Sequence, residues 1–339
     1  MSRGTKRTVA PSPRTRARGK AGAIARRRPW LGGAIAAAVV AVVAVAGIMV
    51  AAAPRAVEAE AAPVEQFTHI HGLQAPAWAG GDVFVSTHFG LLRIDGSGAW
   101  SEVGTDKHDF MGFTAHPSES GVLYSSGHPA AGSALPNPIG FMVSRDAGLS
   151  WTPLALAGRA DFHVLSVQPS DGDVIYGFNA AIDPGLYRSL DGGRTWSVID
   201  SPALMRLGGP YALAVHPDDR DVLLAGTRDG LLTSRDGGRT WEVSGLEGVP
   251  VTAVTFVLED PVRAFAYGAT PDTGLFVSED GGAWTSLDFV LDGNDAVGYI
   301  AVGPAPEATI YLGSYGQSLY RRSGDGSRWQ PLALNGVPQ

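Results

Sequence analysis

The chain has 339 residues, a formal net charge of −7 and no cysteine. The missing cysteine excludes a disulfide framework and a thiolate metal centre, so histidine, carboxylate and methionine are the ligands left. The charge is unevenly divided: residues 1–30 hold ten Lys or Arg and no acid, while the rest holds 16 basic and 33 acidic residues, a net of −17 that argues against a nucleic-acid partner for the larger part.

Residues 1–30, rich in Ser, Thr and Pro besides their basic side chains, read as a disordered cytoplasmic tail. Leu31 to Ala53 follows as 23 uncharged residues, long enough to cross a bilayer as a transmembrane helix or signal anchor. The positive charges before it place the N-terminus in the cytoplasm and everything after residue 53 outside. Arg27-Arg28-Pro29-Trp30-Leu31 is similar to a twin-arginine signal, and Ala59-Glu60-Ala61 reads as a cleavage site, but the length of the apolar run favours an uncleaved, single-pass anchor in the cell membrane over a secreted product. Residues 54–66, with Pro54, Pro63 and alternating Ala and Glu, form a linker.

From Phe67 onward one pattern returns. Ser234 to Trp241 reads SRDGGRTW, Ser189 to Trp196 reads SLDGGRTW and Ser144 to Trp151 reads SRDAGLSW, with worn copies at Asp95 to Trp100, Ser278 to Trp284 and Ser323 to Trp329. The six tryptophans are spaced by 51, 45, 45, 43 and 45 residues, the period of a propeller blade. Each copy lies between two short apolar runs, as a hairpin turn does: the glycines permit positive φ, the Asp accepts hydrogen bonds from turn amides, and the Trp buries its ring between sheets. Around each turn the chain supplies an inner strand, a second, a third ending in the turn, and a fourth starting at the Trp. The expected fold is therefore all-β, a six-bladed β-propeller of four-stranded antiparallel blades over residues 67–335 with almost no helix. No spare strand is visible to be shared between the termini, so the ring is expected to close by packing of blade one on blade six. Blade two is longest, and its extra residues lie in a loop from Pro129 to Pro138.

The Ser-x-Asp-x-Gly-x-x-Trp signature resembles that of the Asp-box, or BNR-type, propellers. That group spans sialidases, sortilin-like receptors and photosystem assembly factors, so the resemblance implies architecture and leaves function open.

The functional signal lies in the histidines. Aligning the inner strands on Leu73, Phe113, Leu165 and Leu213 puts His71, Met111, His163 and Tyr211 two residues earlier, and His69, Asp109, Asp161 and Gly209 two earlier again. With a side-chain period of two, both layers face one way, into one mouth of the central channel. Blades five and six offer Thr252 and Gly298 there. His108 precedes the second inner strand, and His88 and His128 end second strands, which antiparallel pairing brings to the same face. His116 and His216 precede Pro in turns at the opposite face and read as turn residues.

Imidazole with the Met111 thioether suits copper, whereas a site of His and Asp alone suits zinc. Asp109 and Asp161 are also the candidates for a glycosidase carboxylate pair. His69-Ile-His-Gly-Leu73, Thr87-His-Phe-Gly90, Asp109-Phe-Met-Gly-Phe113, Ser126-Gly-His-Pro129 and Asp161-Phe-His163 resemble the motifs of an exported bacterial family labelled glycosyl hydrolase or sialidase-like, over residues 67–335. A sialidase-type site would also need an Arg-Ile-Pro motif and three inner-strand arginines, which are missing. Three readings stand: a metal-binding propeller, a scaffold or assembly factor for a membrane protein, and a glycoside hydrolase acting on a glycan.

Overall fold

Three of the eight-residue turns fold through one set of hydrogen bonds. Ser234 Oγ donates to Asp236 Oδ1 and accepts from the Gly238 amide, both at 2.9 Å, while Asp236 accepts from the Thr240 amide at 2.9 Å and the Thr240 hydroxyl at 2.6 Å. Ser189, Asp191, Gly193 and Thr195 repeat the set, as do Ser144, Asp146, Gly148 and Ser150. Gly237 and Gly238 take φ of 72° and 87°, a left-handed region that glycine enters without steric cost. The turn thereby satisfies its own amides at the tip, and the chain returns into the next strand with its Trp directed inward.

The computed structural model describes residues 64–279, 281–306 and 308–339. The basic tail, the apolar segment and all but the end of the linker lie outside them. Among the described residues no helix is long and apolar enough to cross a membrane. Six antiparallel sheets follow in chain order, each built from strands consecutive in sequence. Their inner strands are Ile70–Gln74, Asp109–Ala115, Phe162–Gln168, Ala212–Val215, Val251–Val257 and Val297–Val302, and each packs beside the next, the sixth returning to the first. This is a six-bladed β-propeller. Among the described residues helix is confined to a 3-10 turn at Ala77–Ala79 and one short helix, Pro202–Arg206. Proline starts that helix, where its missing N–H costs nothing, and Gly209, at φ 93°, ends it by donating to the Leu204 carbonyl.

The core is divided into six clusters, one between each pair of blades, and each holds one of the repeated tryptophans. Trp151 packs on Phe110 with centroids 4.7 Å apart, and Trp196 sits between Phe141 and Phe162 at 5.0 and 4.8 Å. At the seam, Ile70, Val85 and Trp100 of blade one share a cluster with Leu319, Leu332 and Ala333 of blade six. The sixth sheet also carries a fifth strand, Val337–Pro338, and the Phe67 amide donates to the Gly336 carbonyl at 2.8 Å. One such bond contributes about 1 kcal/mol, against roughly 1.5–3 kcal/mol for each large apolar side chain buried in the seam, so packing dominates the closure.

Candidate metal centre

Most inner strands carry a β-bulge near the same end. The ladder slips between Ile70 and Gly72, between Phe162 and Val164, between Val251 and Ala253 and between Val297 and Tyr299. The skipped residues are His71, His163, Thr252 and Gly298, the positions that the apolar alignment puts in one layer. A bulge re-aims the side chain of its unpaired residue. In blade two the slip comes one residue later, between Met111 and Thr114, with Gly112 at φ 38°. Met111 remains paired with Ser126, and its carbonyl accepts the Ser125 hydroxyl at 2.8 Å.

His71 and His163 line a channel of about 390 Å³ that runs between the inner strands to the turns around Pro117 and Pro304, with Tyr211 and Tyr299 also on its wall. Around them the structure forms two groups of donors, each able to hold a metal ion. In the first, His71 Nε2 lies 3.4 Å from His88 Nδ1 and 3.4 Å from Asp109 Oδ1, and His88 Nδ1 lies 3.2 Å from Asp109 Oδ2. A tetrahedral ion with bonds of 2.0–2.1 Å separates its ligand atoms by about 3.3–3.4 Å; the edge between His71 and His88 has that length, and each imidazole meets a different oxygen of the Asp109 carboxylate at a similar distance. In the second, Asp161 Oδ2 is hydrogen-bonded to His163 Nε2 at 2.8 Å and lies 3.3 Å from His128 Nε2.

The electrostatics follow from this crowding. Burial, reinforced by the imidazoles of His88, His69 and His163, pulls the pKa of His71 down to about 4, which leaves its ring neutral near pH 7 and its lone pair available. Burial also raises Asp109 above the usual carboxylate range, against the pull of His88 and His128. The hydrogen bond that His163 makes to the Asp161 carboxylate raises its pKa, with burial opposing. Asp109 Oδ1 and Asp161 Oδ1 are both buried without accepting a hydrogen bond, an arrangement that calls for a cation or another partner.

The remaining candidates are placed differently. His69 is exposed at φ 32° and stacks over His71 with centroids 6.2 Å apart, in neither donor group. His108 is buried, and its Nδ1 accepts the Ala130 amide at 3.0 Å, tying down the start of the long blade-two loop. His116 accepts the amides of Ser118 and Glu119 and His216 that of Asp218, the turn role expected of both. Two residues escaped the sequence reading. Asn137, across that loop, lies 2.7 Å from His128 Nδ1, and Asn179 Oδ1 accepts the Asp161 amide at 2.8 Å. Asn179 occupies the second-strand position of Thr87 and Gly127, so extending the blade alignment to second strands would have flagged it; nothing in the sequence marks Asn137.

Fold and site together define a six-bladed propeller with two histidine and carboxylate groups at one channel mouth. No family model matches the chain, and no curated protein matches it in sequence. Among solved structures it is similar to the GH74 enzyme of Niastella koreensis (TM-score 0.55, 18% identity, 80% of this chain and 46% of that one) and to the GH74 xyloglucanase of Xanthomonas campestris (TM-score 0.52, 19% identity, 80% and 46%). A gluconolactonase of Xanthomonas campestris is similar at TM-score 0.52 and 13% identity, with 74% of this chain and 84% of that one covered. These likenesses are of fold, and the chain spans under half the length of the two GH74 proteins.

Proposed function

We propose that this protein is a membrane-anchored, extracytoplasmic propeller that binds a transition-metal ion through His71, His88 and Asp109. The observation that carries the reading is the convergence of His71 Nε2 and His88 Nδ1, 3.4 Å apart, on the Asp109 carboxylate, one oxygen of which lies 3.4 Å from the first and the other 3.2 Å from the second. Two imidazoles and a carboxylate with a fourth position left over are the donors of open zinc sites, so zinc is the ion of choice. Copper(II), which binds more tightly in the general affinity order, is its competitor. The Asp-box resemblance supports the scaffold and leaves this role unassigned.

Titration of the full-length chain in mild detergent with zinc, then copper, tests the proposal by calorimetry. His71→Ala and His88→Ala should each weaken binding at this site at least 100-fold, and His216→Ala at the far face should leave it unchanged. Equal affinity in all three variants would remove the assignment. The topology has its own test: protease added to wall-stripped intact cells should digest the propeller, and protection until lysis would place it in the cytoplasm. The raised Asp109 also favours a second reading, since a glycosidase acid needs such a shift. Turnover of fluorogenic glycosides that survives metal chelation would select it.

A further inference from the structure

The two donor groups draw on the same kinds of position, wired differently. In the first both imidazoles come from blade one and the carboxylate from blade two; in the second one imidazole and the carboxylate come from blade three and the other imidazole from blade two. Each takes one imidazole from an inner-strand bulge, one from the end of a second strand and a carboxylate two residues before a bulge or its equivalent: His71, His88 and Asp109 in one, His163, His128 and Asp161 in the other. Asp109 opens the second inner strand and Asp161 directly precedes the third, and blade two contributes to both groups, Asp109 to the first and His128 to the second. They adjoin closely enough that His163 acts on the charge of His71 and that His128, Asp161 and His163 act on that of Asp109.

From this repetition we infer that the channel mouth holds a second ion of the same class, bound separately by His128, Asp161 and His163. Three observations beyond the repeat support it. Asp161 is 6% exposed, and its Oδ1 accepts no hydrogen bond. Its backbone is fixed by Asn179 and that of Phe162 by the Ser126 hydroxyl, which donor groups need if they are to be preorganised. Asn137 lies 2.7 Å from the far nitrogen of His128, in the place where metal-binding imidazoles have an outer partner, and leaves Nε2 toward Asp161.

The spacings rank the two sites. In the first group the contacts are 3.2–3.4 Å, close to the ligand spacing of a tetrahedral ion, whereas the 2.8 Å bond between His163 and Asp161 must open by about 0.5 Å to admit one. The second ion therefore binds more weakly, because it displaces a formed hydrogen bond and approaches an occupied neighbour of like charge.

This inference extends the site proposed above, and zinc stoichiometry separates the two. Wild-type full-length chain should take up two equivalents by calorimetry and by elemental analysis after dialysis, the tighter one at least tenfold stronger. His128→Ala and the milder Asp161→Asn should each remove only the weaker equivalent, His88→Ala only the tighter one, and the pair His88→Ala with His128→Ala both. Far-ultraviolet circular dichroism on each variant establishes that the sheets persist. A wild type that saturates at one equivalent, lost on His88→Ala alone, overturns the second site and leaves the first. One equivalent lost on His128→Ala alone does the reverse, upholding this site and overturning the first. One equivalent lost to either substitution means a single shared ion and overturns the inference.

Discussion

Asp236 illustrates how much a single exposed carboxylate does for this fold. Bonds from the Thr240 hydroxyl and amide, then from Ser234 and the Arg239 amide, hold its pKa at about 2. Because the folded value is depressed, its stabilisation is complete above the ordinary carboxylate value near 4 and is lost as pH falls through about 2. Asp191, held chiefly by Thr195, behaves alike. Asp236→Asn should therefore lower stability at pH 7 by about 1 kcal/mol, the scale of a hydrogen bond after solvent competition. The deficit should shrink as pH approaches 2 when urea midpoints of mutant and wild type are compared. A deficit equal at pH 2 and pH 7 would show that the carboxylate's charge is irrelevant to the turn.

At the scale of the strand, the bulge decides where chemistry can sit. In blade two Gly112 carries the slip, and a methyl group there would run into the Phe162 carbonyl, between Asp161 and His163 of the next blade. Its positive φ adds strain for any L side chain. Gly112→Ala should cost about 2 kcal/mol or more in urea unfolding and should weaken the weaker zinc equivalent more than the tighter one, since the displaced carbonyl lies in the chain between two members of the second group, Asp161 and His163. Unchanged stability would mean the two blades are looser here than their contact implies.

The same bulges mark the limit of what the sequence reveals. Side-chain alternation along each inner strand was enough to bring His71 and His163 into one layer, because a period of two fixes the face each residue takes. The turns were equally legible, since Ser, Asp, Gly and Trp each answer a local demand. Partner choice was not. Whether His163 meets His71 or Asp161 depends on bulge geometry and on the lateral distance between blades, neither of which is written in one strand's pattern. Met111 shows the difference: it aligns with two histidines in sequence, yet its strand slips one residue later and keeps it paired with Ser126.

At the scale of the whole molecule, the ring has five interfaces joined by continuous chain and one joined only by contact. With no cysteine to staple it, the seam depends on the cluster around Trp100, which is 8% exposed and stacks on Phe67 with centroids 5.1 Å apart. Phe67 in turn is the residue whose amide reaches Gly336. Trp100→Ala should remove the stack and loosen that clasp, at a cost of about 3–5 kcal/mol for a large buried aromatic. The position of the loss matters more than its size. An equivalent substitution at an internal interface, Trp196→Ala, leaves its two blades tethered by the chain between them, so opening there is local and recloses. Opening at the seam frees the first and sixth blades together. Hydrogen exchange should therefore accelerate in Ile70–Gln74 and Leu319–Arg322 of Trp100→Ala under conditions where Trp196→Ala quickens only its own neighbours. Exchange raised evenly around the ring in both variants would mean that the propeller opens as one cooperative unit, and that the seam is no weaker than any other joint.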